Sequence, residues 1–125
     1  MMDFKALLTK IVESLVISEK SLEVSTALSS TNMHVCRLVK KGTTVRAYIA
    51  IGYSDGTTTI PTGTTMFTVP DGFRPPVDIT RPACGALTNQ RPCLAHFTIK
   101  DDGSIVQNTS STMTMMYGAV EWTIQ

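Results

Sequence analysis

The chain predicts a mainly β fold, an antiparallel sandwich or jelly roll, and three observations carry that expectation. From about residue 34 onward, apolar and polar residues alternate at period two. The alternating runs are short, and Gly, Pro and Asp-Gly turn signals separate them at regular spacing. Thr, Ser and Gly are plentiful while charged residues are sparse, a mixture that suits turn-rich β structure better than helices. At 125 residues the chain reads as one globular unit with a single core.

Residues 3 to 23 are the exception. Phe4, Leu8, Ile11, Leu15 and Leu22 step at heptad a and d spacing, and Leu7, Val12 and Val16 widen the seam. Asp3 is suited to cap the N-terminus. This predicts a rod of about 30 Å at 1.5 Å per residue, in a segment 1–25 distinct from a β head over 26–125. The seam fits an inter-chain bundle, and it fits packing on the chain's own sheet. Residues 24 to 33 are Ser/Thr-rich and read as a linker.

Strands follow. His34 to Val39 is the first, the turn Lys40–Lys41–Gly42 comes next, and Thr44 to Tyr53 returns. In the return strand Val45, Ala47, Ile49, Ile51 and Tyr53 share one face, and Arg46 and Tyr48 the other. Ser54–Asp55–Gly56 is a turn and Ile60–Pro61–Thr62–Gly63 a loop. Thr65 to Val69 places Phe67 and Val69 on one face and stops at Pro70, which cannot donate to a ladder. Residues 70 to 78 are Pro-rich and extended. Thr80 to Leu87 and Leu94 to Ile99 are strands, the second pairing with Ser104 to Thr109 through a turn at Asp102–Gly103, where glycine supplies a positive φ. Met113 to Ile124 closes the set, burying Val120, Trp122 and Ile124, with Gly118 as a bulge.

The chemistry-bearing residues form no catalytic constellation, so no enzyme and no cofactor are expected. There is no G-x-S-x-G elbow, no P-loop and no G-x-G-x-x-G, and Asp101 and Asp102 are adjacent in a turn with diverging carboxylates. His34, Cys36, Cys84, Cys93 and His96 lack the paired spacing of a zinc site, so no metal is expected. Three cysteines without C-x-x-C point to free thiols in a reducing compartment, although Cys84 and Cys93 could meet across a hairpin. A net charge of +1 gives no argument for nucleic acid. Met1–Met2–Asp3–Phe4 has no basic n-region, and no apolar run reaches membrane-span length, so neither a signal peptide nor membrane insertion is expected.

Between Glu23 and Asp55 no acidic residue occurs, while Arg37, Lys40, Lys41 and Arg46 do. These form either a basic patch for a phosphate-bearing polymer or a solubilising hairpin and edge. Tyr48 shares a strand face with Arg46, so Arg46, Tyr48, Lys40 and Lys41 are the candidate ligand-binding residues. The same Arg46–Tyr48 pair suits a subunit interface equally well. Tyr53, Phe73 and Tyr117 are the other aromatic candidates, Trp122 being in core phase, and Met113, Met115 and Met116 read as gap-filling residues.

The order P-x-G-F-R-P-P at Pro70–Pro76, F-x-I-x-x-D-G-x-I at Phe97–Ile105 and V-x-W-x-I at Val120–Ile124 resembles the C-terminal head domains of bacteriophage tail fibres and baseplate receptor-binding proteins. The resemblance covers about residues 45 to 125. The opening Phe4–Ile11 also looks like the N-terminus of small proteins in phages and prophages of Gram-positive bacteria. The resemblance implies a homotrimer of jelly-roll-like heads on a helical neck, with Phe4, Leu8, Ile11, Leu15 and Leu22 as oligomerisation residues. It implies a virion location, made in the bacterial cytoplasm, beside other phage tail proteins. The implied task is adhesion to host cell-wall polysaccharide or teichoic acid without altering it. A chain this short lacks a shaft, so a tail or baseplate decoration protein with no receptor is the alternative, as is a TNF-like trimeric bacterial module.

Overall fold

The computed structural model describes residues 3–15, 17–24, 33–52, 59–87, 91–109 and 111–124. These form one helix, α1 (Phe4–Leu15), and eight strands: β1 (Ile17–Ser21), β2 (Met33–Lys41), β3 (Thr44–Gly52), β4 (Thr65–Thr68), β5 (Ile79–Ala86), β6 (Pro92–Ile99), β7 (Ser104–Gln107) and β8 (Met115–Thr123). The protein is mainly β, and its strands make one curled antiparallel sheet in the order β1-β2-β3-β8-β5-β6-β7-β4.

Helix α1 starts where expected. The Asp3 carboxylate accepts the Ala6 backbone N–H at 2.7 Å, which is the N-cap bond. The helix stops at Leu15, well short of residue 23, and this corrects the longer rod. Ile17–Ser21 instead pairs in register with Arg37–Lys41. The β-branched Val16–Ile17 and the serines are weak helix formers. Pairing also satisfies the edge of β2, which would otherwise present bare N–H and C=O groups. Leu22 therefore lies beyond the helix, half-buried and packed against the sheet's core, instead of extending a helical seam.

The seven expected strands are β2 to β8, each within a few residues of its predicted ends. Val45, Ala47, Ile49 and Ile51 point into the core from β3, and Met116, Val120 and Trp122 from β8. Ala95, Phe97 and Ile99 of β6, Ile105 of β7 and Phe67 near the edge complete it from the other arm of the curl. Tyr53 and the turn Ser54–Asp55–Gly56 fall outside the described residues, as does most of the linker. Gly118 is not a bulge: β8 keeps unbroken register with β3 across it, opposite Ile49. It is small because the strands crowd there, since a Cβ would lie 3.1 Å from the Cβ of Ala83 and 3.8 Å from the Phe97 ring. The irregularity is instead in β4, between Thr65 and Phe67.

The Pro-rich segment after β4 closes one end of the core. Phe73 and Pro75 are buried. The Trp122 indole N–H donates to the Phe73 carbonyl at 2.7 Å, Arg74 Nε donates to the Val69 carbonyl at 2.8 Å, and Lys40 Nζ donates to the Gly72 carbonyl at 2.9 Å. The same ammonium sits 5.1 Å from the centre of the Phe73 ring, a cation–π distance. At the opposite end the buried Gln107 knits two loops. Its Nε2 donates to the carbonyls of Ile60 and Ser111, and its Oε1 accepts the Thr109 N–H. A buried amide so completely satisfied fixes loop geometry instead of costing stability.

The cysteines are free thiols. Gly85, not Cys84, stands opposite Cys93, so the two cysteines occupy opposite faces of the β5–β6 ladder. Cys93 lies 3.5 Å from the Met113 sulfur. Cys36 is in the core, and burial pushes its thiol from an ordinary 9.0 up to about 12. Thiol titration in denaturant without reductant should find three thiols per chain, while in the native protein Cys36 should resist labelling at neutral pH. The raised pKa also sets a sign for stability. The contribution of the protonated Cys36 is complete below about pH 9 and is lost as pH rises towards 12. Rapid native labelling of all three thiols would overturn the assignment.

Candidate functional site

The strand alternation that fills the core also fixes what the sheet's outer face displays. On β3, Arg46, Tyr48 and Ala50 are exposed between buried neighbours, and on β8 the exposed positions are Tyr117, Ala119, Glu121 and Thr123. On β2, among the described side chains, they are Val35, Arg37 and Lys41.

Arg46 and Tyr48 are brought together, as their spacing demands. The guanidinium lies 5.6 Å from the centre of the Tyr48 ring. Lys41 is on the same face, opposite Thr44 at the hairpin end of the ladder. Lys40 is not. Strand β2 runs straight through to Lys41, so Lys40 takes the phase of Cys36 and Leu38 and turns to the closing loop instead. Part of the basic stretch meets acids from other strands. Arg37 pairs with Glu19 of β1 at 2.7 Å, with both side chains about half exposed. Arg46 stands directly opposite Glu121 of β8.

Tyr48 and Val35 rise between two shallow depressions. One is lined mostly by apolar atoms, from Val35, Tyr48, Ala50, Tyr117 and Ala119. The other adds Ile17, Glu19, Arg37 and Val39 to Tyr48 and Val35. Chemically this offers aromatic faces for stacking, a guanidinium held by a ring, and a flanking ion pair. The potential metal ligands are scattered: Cys36 is in the core, Cys84 faces outward and Cys93 faces Met113. Among the described residues, no three His, Cys, Asp or Glu side chains gather into a metal-binding group.

Of the expected oligomerisation residues, Phe4, Leu8 and Ile11 share the apolar stripe of α1 with Leu7, and all are exposed, Phe4 by 78%. The side chain of Leu15 lies outside the described residues. Val35, Ala50, Ala119 and Leu94 were not singled out by the sequence reading. Each is an apolar residue at an outward period-two position. They gain meaning only once the register places them beside Tyr48 and Tyr117.

The fold and face together define a small, mainly β protein with one curled antiparallel sheet and a partly apolar outer surface. No protein-family model matches the chain, and comparison with curated proteins returns no match. Among the described residues no helix is long and apolar enough to cross a membrane.

Proposed function

We propose that this protein is a phage or prophage tail-associated head that assembles as a homotrimer and adheres to host cell-wall polysaccharide or teichoic acid without altering it. In this reading the curled sheet is one protomer of a jelly-roll-like head, and α1 projects as the start of a neck. The observation that carries it is the outer face of β3, where the Arg46 guanidinium rests on the Tyr48 ring beside Lys41. An aromatic face with adjoining cations suits a sugar ring carrying anionic groups. The motif order Pro70–Pro76, Phe97–Ile105 and Val120–Ile124 supports the same class by resemblance. The exposure of Phe4, Leu7 and Leu8 along α1 supports an assembly that covers them.

The site is shallow, so single-site affinity is low and three sites per assembly supply avidity if the polymer spans them. The test is retention of the purified protein on host cell walls and on isolated wall polymers. Lys41→Ala with Arg46→Ala removes both cations and leaves the apolar row intact. Each lost charged hydrogen bond is worth about 1.5–3 kcal/mol, so the pair should weaken retention at least roughly tenfold. Raising salt should weaken the unmodified protein too, because exposed charges are screened within about 10 Å at 0.1 M. Unchanged retention by the double variant rejects this site. Absence of retention by the unmodified protein on every wall tested favours the decoration role.

A further inference from the structure

We propose that the apolar row across the outer face of β2, β3, β8, β5 and β6 is the surface through which copies of this chain bind one another. The row follows from register alone. Val35 pairs with Ala50, Ala50 with Tyr117, Tyr117 with Cys84 and Cys84 with Leu94. All five are exposed, Val35 by 56%, Tyr117 by 47% and Leu94 by 65%. Five strands at about 4.8 Å spacing make the row roughly 19 Å long. A sheet with one solvated face displays polar residues outward, and here the same five strands bury apolar residues on one side and present them on the other.

Two features select a second copy as the occupant. The first is shape. Tyr48 stands opposite Ala119, and Ala50 opposite Tyr117. Rings and small residues thus alternate as a two-by-two checkerboard on adjacent strands. The pattern has local twofold symmetry, so each ring of one copy meets an alanine hollow of another. The second is charge. Glu19, Arg37, Arg46 and Glu121 lie beside the row, two of each sign, as an ion pair and a cross-strand pair. Such a border is complementary to its own rotated image and exerts no net pull on a polyanion. Tyr48 is the part of the checkerboard nearest the hairpin and so belongs to both surfaces, and an assembled copy offers a polymer the cations beyond it. A face complementary to its own rotated image joins copies two at a time, so this contact goes beyond the trimeric reading above and does not rest on it.

The test is mass by light scattering at micromolar concentration, with the melting temperature measured alongside. The intact protein should be oligomeric. Tyr117→Glu, at an exposed position, should keep the melting behaviour of a folded chain and weaken association roughly a hundredfold, because a carboxylate in an apolar contact is left unpaired. Leu94→Glu is the second variant, in case the first disturbs the strand. Cys84 gives an independent readout, since its thiol should label slowly in the assembly and at least about tenfold faster in the Tyr117→Glu protein, as exposed thiolates react when not covered. Ile11→Asp separates this surface from the α1 stripe: assembly that survives it but not Tyr117→Glu supports the sheet face. An oligomer unaffected by both sheet variants, or an intact protein that is monomeric, overturns the proposal. Lys41→Ala, outside both the row and its charged border, should weaken retention on cell walls and leave the mass unchanged, so failure of adhesion and failure of assembly are read separately.

Discussion

Trp122→Ala is expected to lower unfolding free energy by about 3–5 kcal/mol, the usual range for truncating a buried aromatic residue. The indole is 3% exposed, in β8 opposite Val45, and its N–H holds the Phe73 carbonyl. Truncation therefore does two things. It opens a void where the arms of the curl meet, and it strips the closing loop of its donor. An unsatisfied buried carbonyl adds about 1–3 kcal/mol to the cost unless water reaches it. Trp122→Phe separates the two effects, since it keeps most of the volume and loses the hydrogen bond. Urea denaturation followed by circular dichroism checks the order: intact protein most stable, Trp122→Phe intermediate, Trp122→Ala least. An Ala variant with unchanged midpoint would remove Trp122 from the core.

Gly103→Ala should be nearly as damaging, although it adds one methyl group. Gly103 has φ of +96° in the β6–β7 turn. A side chain there costs about 1–2 kcal/mol in backbone strain. It would also meet the Val69 carbonyl oxygen closer than real Cβ contacts come, and lie 2.7 Å from Arg74 Nε. That carbonyl cannot withdraw easily. It accepts the Arg74 side chain, and the Val69 N–H donates to the Gly103 carbonyl at 2.7 Å. Overpacking of this kind adds about 1–3 kcal/mol. Asp102 alongside accepts the Ser104 backbone N–H at 2.9 Å, and that bond holds its carboxyl below the ordinary range. A control at Gly63 sharpens the test. Gly63 also has positive φ, +87°, but open space where a Cβ would go. Gly63→Ala should show the strain without the clash, so a Gly103→Ala midpoint equal to it would refute the crowding argument.

The strands were legible because their signals are local. Val45 to Ile51 alternates so cleanly that its core face follows from periodicity, and the Arg46–Tyr48 partnership follows from the same two-residue step. Asp102–Gly103 is a turn chemistry that few other arrangements satisfy. What failed depended on partners distant in sequence. Ile17–Ser21 is a strand because β2 offers it an edge, which no pattern within the segment announces. Gly118 looked like a bulge, and its real neighbours are Ala83 and Phe97 of other strands. Lys40 looked like the twin of Lys41, yet in a strand adjacent residues face opposite ways. Within the basic stretch from Arg37 to Arg46, Arg37 is ion-paired to Glu19, which precedes it, and Arg46 faces Glu121, almost at the end of the chain, across the ladder. The outer apolar row needs five strands in register before it exists at all.

The place of β8 bears on how the chain comes off the ribosome. In the sheet order it separates β1-β2-β3 from β5-β6-β7-β4, so the strand made last is the one that joins the two halves. Until it emerges, β3 and β5 each present an unpaired interior edge, and Ile49, Ala47 and Ala83 wait without the side chains that cover them. Productive closure thus depends on the most sequence-distant pairings in the molecule, which is the regime of high contact order and slow folding. During that interval the open edges can recruit β8 from any nascent or newly released copy nearby. Crowded translation on one message therefore favours swapped pairs.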